Sequence, residues 1–318
     1  MKRKYVMHCV IISVLLLAMT KIFTTTFPTA SIGNAITTFT EEKNDALYQQ
    51  IKAYSEEHTV KPIDARIDTV WKAIPGYNGL TVEIETSYKN MLVGGVFDTK
   101  ELVVKETPPA IHLNDLEPSP IYRGNSEKLM VTLLINVAWG NEFIPRILQV
   151  LKESEVKATF FFDGSWVNKN LDVAMMIHLE GHEIGNHAYS HPDFKHRTRN
   201  ETMNELKKTN DVIEKTLSIN SIWFAPPSGS FNQETIDVAH ELGMKMVLWT
   251  IDTVDWRNPA TSEMVNRIVV GVENGSMVLM HPTKPVAEGL EAMIIQIKGR
   301  GFQLGTVSEL MSTNRIGD

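Results

Sequence analysis

The sequence predicts an α/β protein, a distorted parallel (β/α) barrel preceded by a small α+β module. Two observations point there. Past Leu129, short apolar runs of strand length alternate with amphipathic runs of helix length, and repeated strand and helix units of that size imply a parallel sheet. No Gly-x-Gly-x-x-Gly follows the first of these strands, so the run of about seven units favours a barrel, incomplete or distorted, over an open doubly wound sheet. A chain of 318 residues can bury one large core plus a small second domain. Its 43% apolar and 22% charged content is that of an ordinary globular protein. A formal charge of -7, without clustered Lys and Arg, gives no electrostatic basis for a nucleic-acid partner.

At the N-terminus, Lys2, Arg3 and Lys4 precede an apolar run over residues 6–19 that Lys21 stops. The run is shorter than a spanning helix of about 20 residues and matches a secretory h-region, so residues 1–30 are expected to be a signal peptide or N-terminal membrane anchor. The protein would then be exported, to the extracellular face of the membrane or the cell wall, with the membrane itself a partner where the segment stays uncleaved. The only cysteine, Cys9, lies inside the run, which leaves the mature chain with no disulfide and no thiolate metal ligand. Residues 36–107 are expected to form the α+β module, with a helix over 45–57, a turn at Pro75-Gly76-Tyr77-Asn78-Gly79, and alternating strands at 80–85 and 101–105. Pro108, Pro109, Pro118 and Pro120 mark 108–128 as an extended linker.

The barrel domain is placed at 129–312. Its first strand is 131–135, followed by a helix over 143–152 with Ile144, Ile147, Leu148 and Leu151 on one face. A second strand, 158–162, leads to a helix over 171–180, and a strand-like piece at 183–185 precedes a long helix over 200–217. Further strands are expected at 221–224, 245–249, 277–280 and 302–305, separated by helices over 233–242, 262–270 and 288–298.

In a barrel the chemistry collects where strands end and helices begin. Those positions hold Asn136-Val137-Ala138-Trp139-Gly140, Asp163-Gly164, His187 and His191, Ala225-Pro226-Pro227-Ser228, Asp252-Thr253-Val254-Asp255-Trp256 and His281-Pro282-Thr283. Each cluster alone reads as a solvated loop, and their regular phase behind apolar strands is what points to one site. The centre is Gly181-His182-Glu183-Ile184-Gly185-Asn186-His187-Ala188-Tyr189-Ser190-His191-Pro192-Asp193. Two imidazoles four apart on a helical turn share a face and can hold one metal ion. Ala188 after His187, where a glutamate would be required, excludes a His-Glu-x-x-His metalloprotease.

This stretch resembles the metal-binding signature of the polysaccharide deacetylases, the NodB homology fold of carbohydrate esterase family 4, over about residues 129–310. The resemblance implies that His187 and His191 bind a divalent metal and that His281, in Leu279-x-His281, is the general acid. Aligned on Pro145-Arg146-Ile147-Leu148, the two aspartates of the first motif, base and metal ligand, fall on Asn136 and Val137. The arginine usually found before Pro-Pro falls on Ala225, while Asp255-Trp256 matches the fourth motif. Substrate contacts are implied at Trp139, Pro226, Pro227, Trp256 and Leu279, and Asp255 belongs with the catalytic group. Asp163 ends the second strand on the same face and is a candidate substitute base or ligand, although it also reads as a turn residue before Gly164. Ala138-Trp139-Gly140-Asn141 is similar to a subgroup from spore-forming bacteria.

Hydrolysing an N-acetyl group calls for a divalent metal, a base for the attacking water and an acid for the leaving amine. An asparagine amide has no useful basicity at neutral pH, and a positioned base is worth about 10²–10⁴ in rate. Without the carboxylate ligand the metal, expected to be Zn²⁺, has a weakened site. Asn136 and Ala225 read as a matched loss, because an arginine facing a neutral asparagine would be a partly buried unpaired cation. The expectation is a cell-envelope protein that acts on or binds N-acetylated glycan, either peptidoglycan or N-acetylglucosamine polymers, with absent or much reduced N-deacetylase activity. Two alternatives are an active metal-dependent deacetylase that recruits Asp163, and a non-catalytic sporulation or envelope scaffold.

Overall fold

The computed structural model describes residues 46–315, so the export segment expected at 1–30 lies outside the described residues. No helix among those described is long and apolar enough to cross a membrane. The described chain forms two compact units: 46–58 with 82–103, and 59–81 with 104–315. This division departs from the boundary expected at residue 107, because 59–81 and 104–107 belong with the barrel.

The first unit is built on helices α1 (Ala46–His58) and α2 (Ile84–Met91), whose Leu47, Ile51, Tyr88 and Met91 share a small core with Val82. Between them in the chain run the strands β1 (Arg66–Asp68), β2 (Lys72–Ile74) and β3 (Gly79–Val82). The strand expected over 80–85 therefore stops at Val82. Glu83 is the extended N-cap of α2, and Ser87, Tyr88 and Met91 recur at helical spacing on its buried face. β3 pairs with β4 (Val104–Thr107), and β1 pairs antiparallel with β2.

The parallel sheet of the second unit begins at β5 (Met130–Val137), followed by α3 (Ile144–Glu153), β6 (Thr159–Phe162), α4 (Gly164–Lys169), α5 (Leu171–Leu179) and β7 (Glu183–Asn186). It continues through α6 (Arg199–Leu217), β8 (Trp223–Phe224), α7 (Gln233–Glu241), β9 (Lys245–Met246), β10 (Ile251–Asp252) and α8 (Thr261–Gly271). β11 (Met277–Met280), α9 (Lys284–Gly299), β12 (Gln303–Gly305) and α10 (Val307–Met311) complete it. The sheet has eight strands in the order β10-β11-β5-β6-β7-β8-β9, with β12 paired to β5. All the pairings in this sheet are parallel, as the alternation of elements required. Residues 130–132 of β5 face β12 and residues 132–135 face β11, so one strand edge serves two neighbours, which is a source of the distortion.

β9 and β10 are the two ends of the strand order. Beside them lies Ile121, 1% exposed, which pairs in parallel with Val247. Its N–H donates to the Met246 carbonyl at 2.9 Å, and its own carbonyl accepts from the Leu248 N–H at 2.8 Å. The stretch expected to be a linker thus supplies a buried piece of barrel wall. Proline at 118 and 120 restricts it to an extended path, and the backbone N–H and carbonyl of Ile121 satisfy the edge beside β9.

Side-chain alternation along β5 sets up the site. Val131, Leu133, Ile135 and Val137 pack into the cluster shared with α3, α8 and α9, whereas Met130 and Leu134 join Phe161, Trp223 and Met277 in a separate interior cluster. Period two then places Asn136 with the interior set and Val137 with the helix-facing set.

Candidate active site

The C-terminal strand ends surround a cavity of about 440 Å³, lined by Asn136, Ala138, Trp139, His187, His191, Ser228, Trp249, Asp252, Trp256, Leu279 and His281. β5, β7, β10 and β11 deliver residues to it directly or through the loop that follows. Asn136 is 5% exposed, and its Oδ1 is buried without a hydrogen-bond partner. Val137 is fully buried in the helix-facing cluster and is not among the lining residues, so packed apolar atoms occupy the position where the resemblance would put a carboxylate ligand.

His187 follows β7 and is buried. Its Nδ1 lies 2.7 Å from the Ala225 carbonyl, an acceptor, so Nδ1 carries the proton and Nε2 keeps its lone pair. Burial, then the neighbouring His191, lowers its pKa to about 3, which keeps it neutral. The His191 ring stands edge-on to it at 5.3 Å between centroids. The two rings do not meet on a helical turn as the spacing suggested. Residues 187–193 form a loop, with Ala188 and His191 at φ +62° and +54°, and these two left-handed residues bring the rings together. The loop is held from α6, where Glu205 accepts the N–H groups of Tyr189 and Ser190, both at 2.9 Å, and the Ser190 hydroxyl at 2.8 Å. Asn186 accepts the Ala188 N–H at 2.8 Å and donates to the Leu206 carbonyl and to Asn210. Nothing in the sequence marks Glu205, because a glutamate in the middle of a polar helix carries no signal of the loop it will meet.

Asp255 does not face the cavity. It is 1% exposed, and its two oxygens accept the His281 Nδ1–H, the His281 backbone N–H and the Thr283 hydroxyl, each at 2.9 Å. Burial pushes this carboxyl up, but the hydrogen bonds and charge of His281 outweigh it and hold the group below its ordinary value. The ionised carboxylate therefore fixes His281 with Nδ1 protonated and leaves Nε2 as its working atom, the orienting arrangement of an acid–base pair. Trp139, 46% exposed, stacks on His281 at 5.9 Å and 10°. Gly140 makes that possible: at φ +83°, an added Cβ would lie 2.0 Å from the Pro282 carbonyl oxygen, so only glycine lets the two loops touch.

Asp163 caps α4, with Oδ1 accepting the Trp166 N–H at 2.8 Å and the Ser165 hydroxyl at 2.7 Å. It is not among the lining residues, and its turn role accounts for it. Burial raises its pKa, with Ser165, Trp166 and His191 opposing. Pro226 and Pro227 are also buried behind the wall; the residue that their turn contributes is Ser228, held at φ +56°. Trp256 lies beside the cavity mouth, 53% exposed under the Arg257 guanidinium, and Leu279 is buried in the wall. Trp249 and Asp252 complete the lining; the carboxylate of Asp252 spends Oδ1 on the Val254 N–H at 2.7 Å.

Two imidazoles suit a divalent ion, but no group of three or more His, Cys, Asp or Glu able to hold one occurs among the described residues. The donor set is therefore half of a protein metal site, with no negative charge in it.

Residues 123–247 match the polysaccharide deacetylase family model. Over 272 residues the chain is 52% identical to YlxY, an uncharacterised protein of Bacillus subtilis, covering 86% of this chain and 85% of that protein. It is 30% identical over 199 residues to a peptidoglycan-N-acetylglucosamine deacetylase of Bacillus cereus, covering 61% and 72%. The crystal structure of a carbohydrate esterase family 4 pseudoenzyme from Bacillus anthracis superposes with a TM-score of 0.80 at 45% identity, over 86% of this chain and 97% of that one. A mutant of that pseudoenzyme, described as having restored enzymatic activity, matches with a TM-score of 0.81 at 44% identity, over 86% and 100%.

Proposed function

The chain belongs to the polysaccharide deacetylase family, carbohydrate esterase family 4, and from that membership we propose a cell-envelope protein that binds N-acetylated glycan and hydrolyses its N-acetyl groups slowly or not at all. The observation that carries the proposal is Asn136: a buried amide lines the cavity where the family places its general base, opposite an acid that is fully supported. Peptidoglycan is the proposed glycan, since the Bacillus cereus relative is named for it, and the Bacillus anthracis pseudoenzyme with its reactivated mutant supports a silent but repairable site.

Metal dependence is general in this family, and His187 and His191 are the residues that would hold the ion here, Zn²⁺ in our proposal. When bound, the metal would supply Lewis-acid activation of water and of the acyl group. The chain's own residues do the rest. His281, oriented by Asp255, can deliver a proton to the departing nitrogen through Nε2. Asn136 can orient a water but cannot take its proton, so the step that needs a base lacks one. Trp139 and Trp256 offer stacking faces for sugar rings, and Leu279 an apolar surface for a methyl group. Asp163, the substitute on which an active enzyme would depend, is engaged as a helix cap.

The test is acetate release from peptidoglycan and from N-acetylglucosamine oligomers by the purified ectodomain with Zn²⁺, beside a binding measurement on the same glycans. Binding with acetate release at least about 10²-fold below that of an active relative is expected. Release at the relative's rate would return the chain to the active deacetylases. Export, proposed from residues 1–30, predicts that protease added to wall-stripped cells cuts the full-length protein.

A further inference from the structure

We propose a second binding site, at the opposite end of the strands from the cavity described above, for a ligand that ends in a carboxylate on an apolar body. Lys245 recognises the charge. The inference does not depend on the glycan-binding function proposed above. A cavity of about 210 Å³ lies where β9 begins, whereas the strand-end cavity is lined by Trp249, four residues further along the chain. Ala73 of β2 and the segment 113–121, which precede the family match at 123–247, form one side. The end of α7, with Met244 and Lys245, forms the other. The Ala73 N–H donates to the Pro120 carbonyl at 3.0 Å, and Ile121 pairs with Val247, so the segment that closes the cavity is fixed on both sides.

The lining is apolar except at one end. Ala73, Leu113, Leu116, Ile121 and Met244 supply apolar wall, while Lys245 is half-buried, and its ammonium has no hydrogen-bond or ion-pair partner among the described residues. Burial alone holds the pKa of Lys245 below the ordinary lysine value, with no carboxylate acting on it, the exposed Glu117 included. Lys128 shows the usual arrangement in this fold: it is 2% exposed, and its Nζ donates to the Glu309 and Ser312 carbonyls at 2.6 and 3.1 Å. Lys245 is given no such acceptor, and an entering carboxylate would provide the missing counter-charge. Free carbonyls at the end of α7 would oppose an anion, but Ala239 and His240 already accept the Met244 and Gly243 N–H groups at 2.8 and 2.9 Å. The cavity is smaller than the roughly 300–1,000 Å³ of pockets that enclose a whole ligand, so it suits the end of a chain. A peptide C-terminus with an apolar last side chain offers a carboxylate to Lys245, the side chain to the apolar wall and a peptide group to Asn114 and Ser119. A short-chain free acid shares the first two features.

Titration calorimetry of the purified protein at neutral pH and low salt decides this, with N-acetyl-leucyl-leucine, its C-terminal amide and hexanoate as probes. The acid peptide should bind, and the amide about tenfold or more weaker, because the charge-assisted pair is lost. Lys245→Met, checked for an unchanged melting temperature, should weaken the acid peptide by a similar factor and leave the amide unaffected, whereas Lys245→Arg should keep much of the binding. Tighter binding of the acid peptide than of hexanoate supports the site and assigns it to peptide termini; the reverse order supports the same site and assigns it to free acids. Equal binding of acid and amide peptides, Lys245→Met that binds the acid peptide like wild type, or no binding of either acid at millimolar concentration overturns the inference.

Discussion

Asn136 lines the cavity from the end of β5, so a nearly isosteric carboxylate introduced there would sit in the cavity wall without disturbing the strand. Asn136→Asp should therefore restore measurable acetate release from N-acetylglucosamine oligomers in Zn²⁺. Recovery should be partial, because burial raises a carboxyl's pKa and no arginine stands at position 225 to oppose it. Adding Ala225→Arg should raise the rate beyond the sum of the single effects, as neighbours in one network do, whereas Ala225→Arg alone should add nothing but a partnerless cation. If Asn136→Asp folds, binds metal and is no faster than wild type, the principal lesion is elsewhere. The metal has its own test. Zn²⁺ should bind the wild-type protein stoichiometrically when measured by metal analysis, and His187→Ala/His191→Ala should lose it; equal metal content in both proteins would remove these histidines as ligands.

The loop over 187–193 shows how an element is made from residues that do not announce it. Its two left-handed residues each cost of order 1 kcal/mol or more, and the hydrogen bonds from Glu205 and Asn186 offset that strain. Glu205→Ala leaves two backbone N–H groups and one hydroxyl without their acceptor. It should lower unfolding free energy by about 1–3 kcal/mol in a denaturant titration and weaken Zn²⁺ binding, although both histidines remain. Glu205→Gln keeps an acceptor and should recover part of both losses. Unchanged metal affinity in Glu205→Ala would mean that the loop holds its shape unaided. On the opposite wall, Gly140→Ala forces Cβ towards the Pro282 carbonyl and should separate Trp139 from His281, seen as a change in tryptophan fluorescence.

Part of the barrel's loss of stability in acid can be assigned to a buried histidine that does not line the cavity. His182 is 5% exposed, and its Nδ1 accepts the Ala158 N–H at 3.3 Å. Burial, then the charge of Lys157, lowers its pKa from 6.5 to about 4. The folded state thus binds this proton less readily than the unfolded state does. The contribution is fully present above pH 6.5 and is lost as pH falls from 6.5 towards 4. His182→Gln should reduce the acid-side loss by roughly 2 kcal/mol, read from unfolding curves at pH 7 and pH 4.5; parallel pH profiles for the two proteins would show that His182 does not carry it. At this scale the sequence by itself determined the strand and helix alternation, the parallel sheet and the strand ends that bear the site. Those follow from local periodicity, which a run such as 277–280 or 144–151 carries within itself. It also determined that His187, His191 and His281 stand at such ends and that Asn136 is no base, since both are matters of residue identity and phase. Only the tertiary structure decided which of these side chains turn inward. It put Asn136 in the cavity and Val137 in the packed outer layer, drew Asp255 behind His281, spent Asp163 on a cap, and brought Glu205 and Ile121 to elements remote in sequence. Contacts between residues far apart in the chain depend on where the barrel closes, and no local pattern encodes that distance.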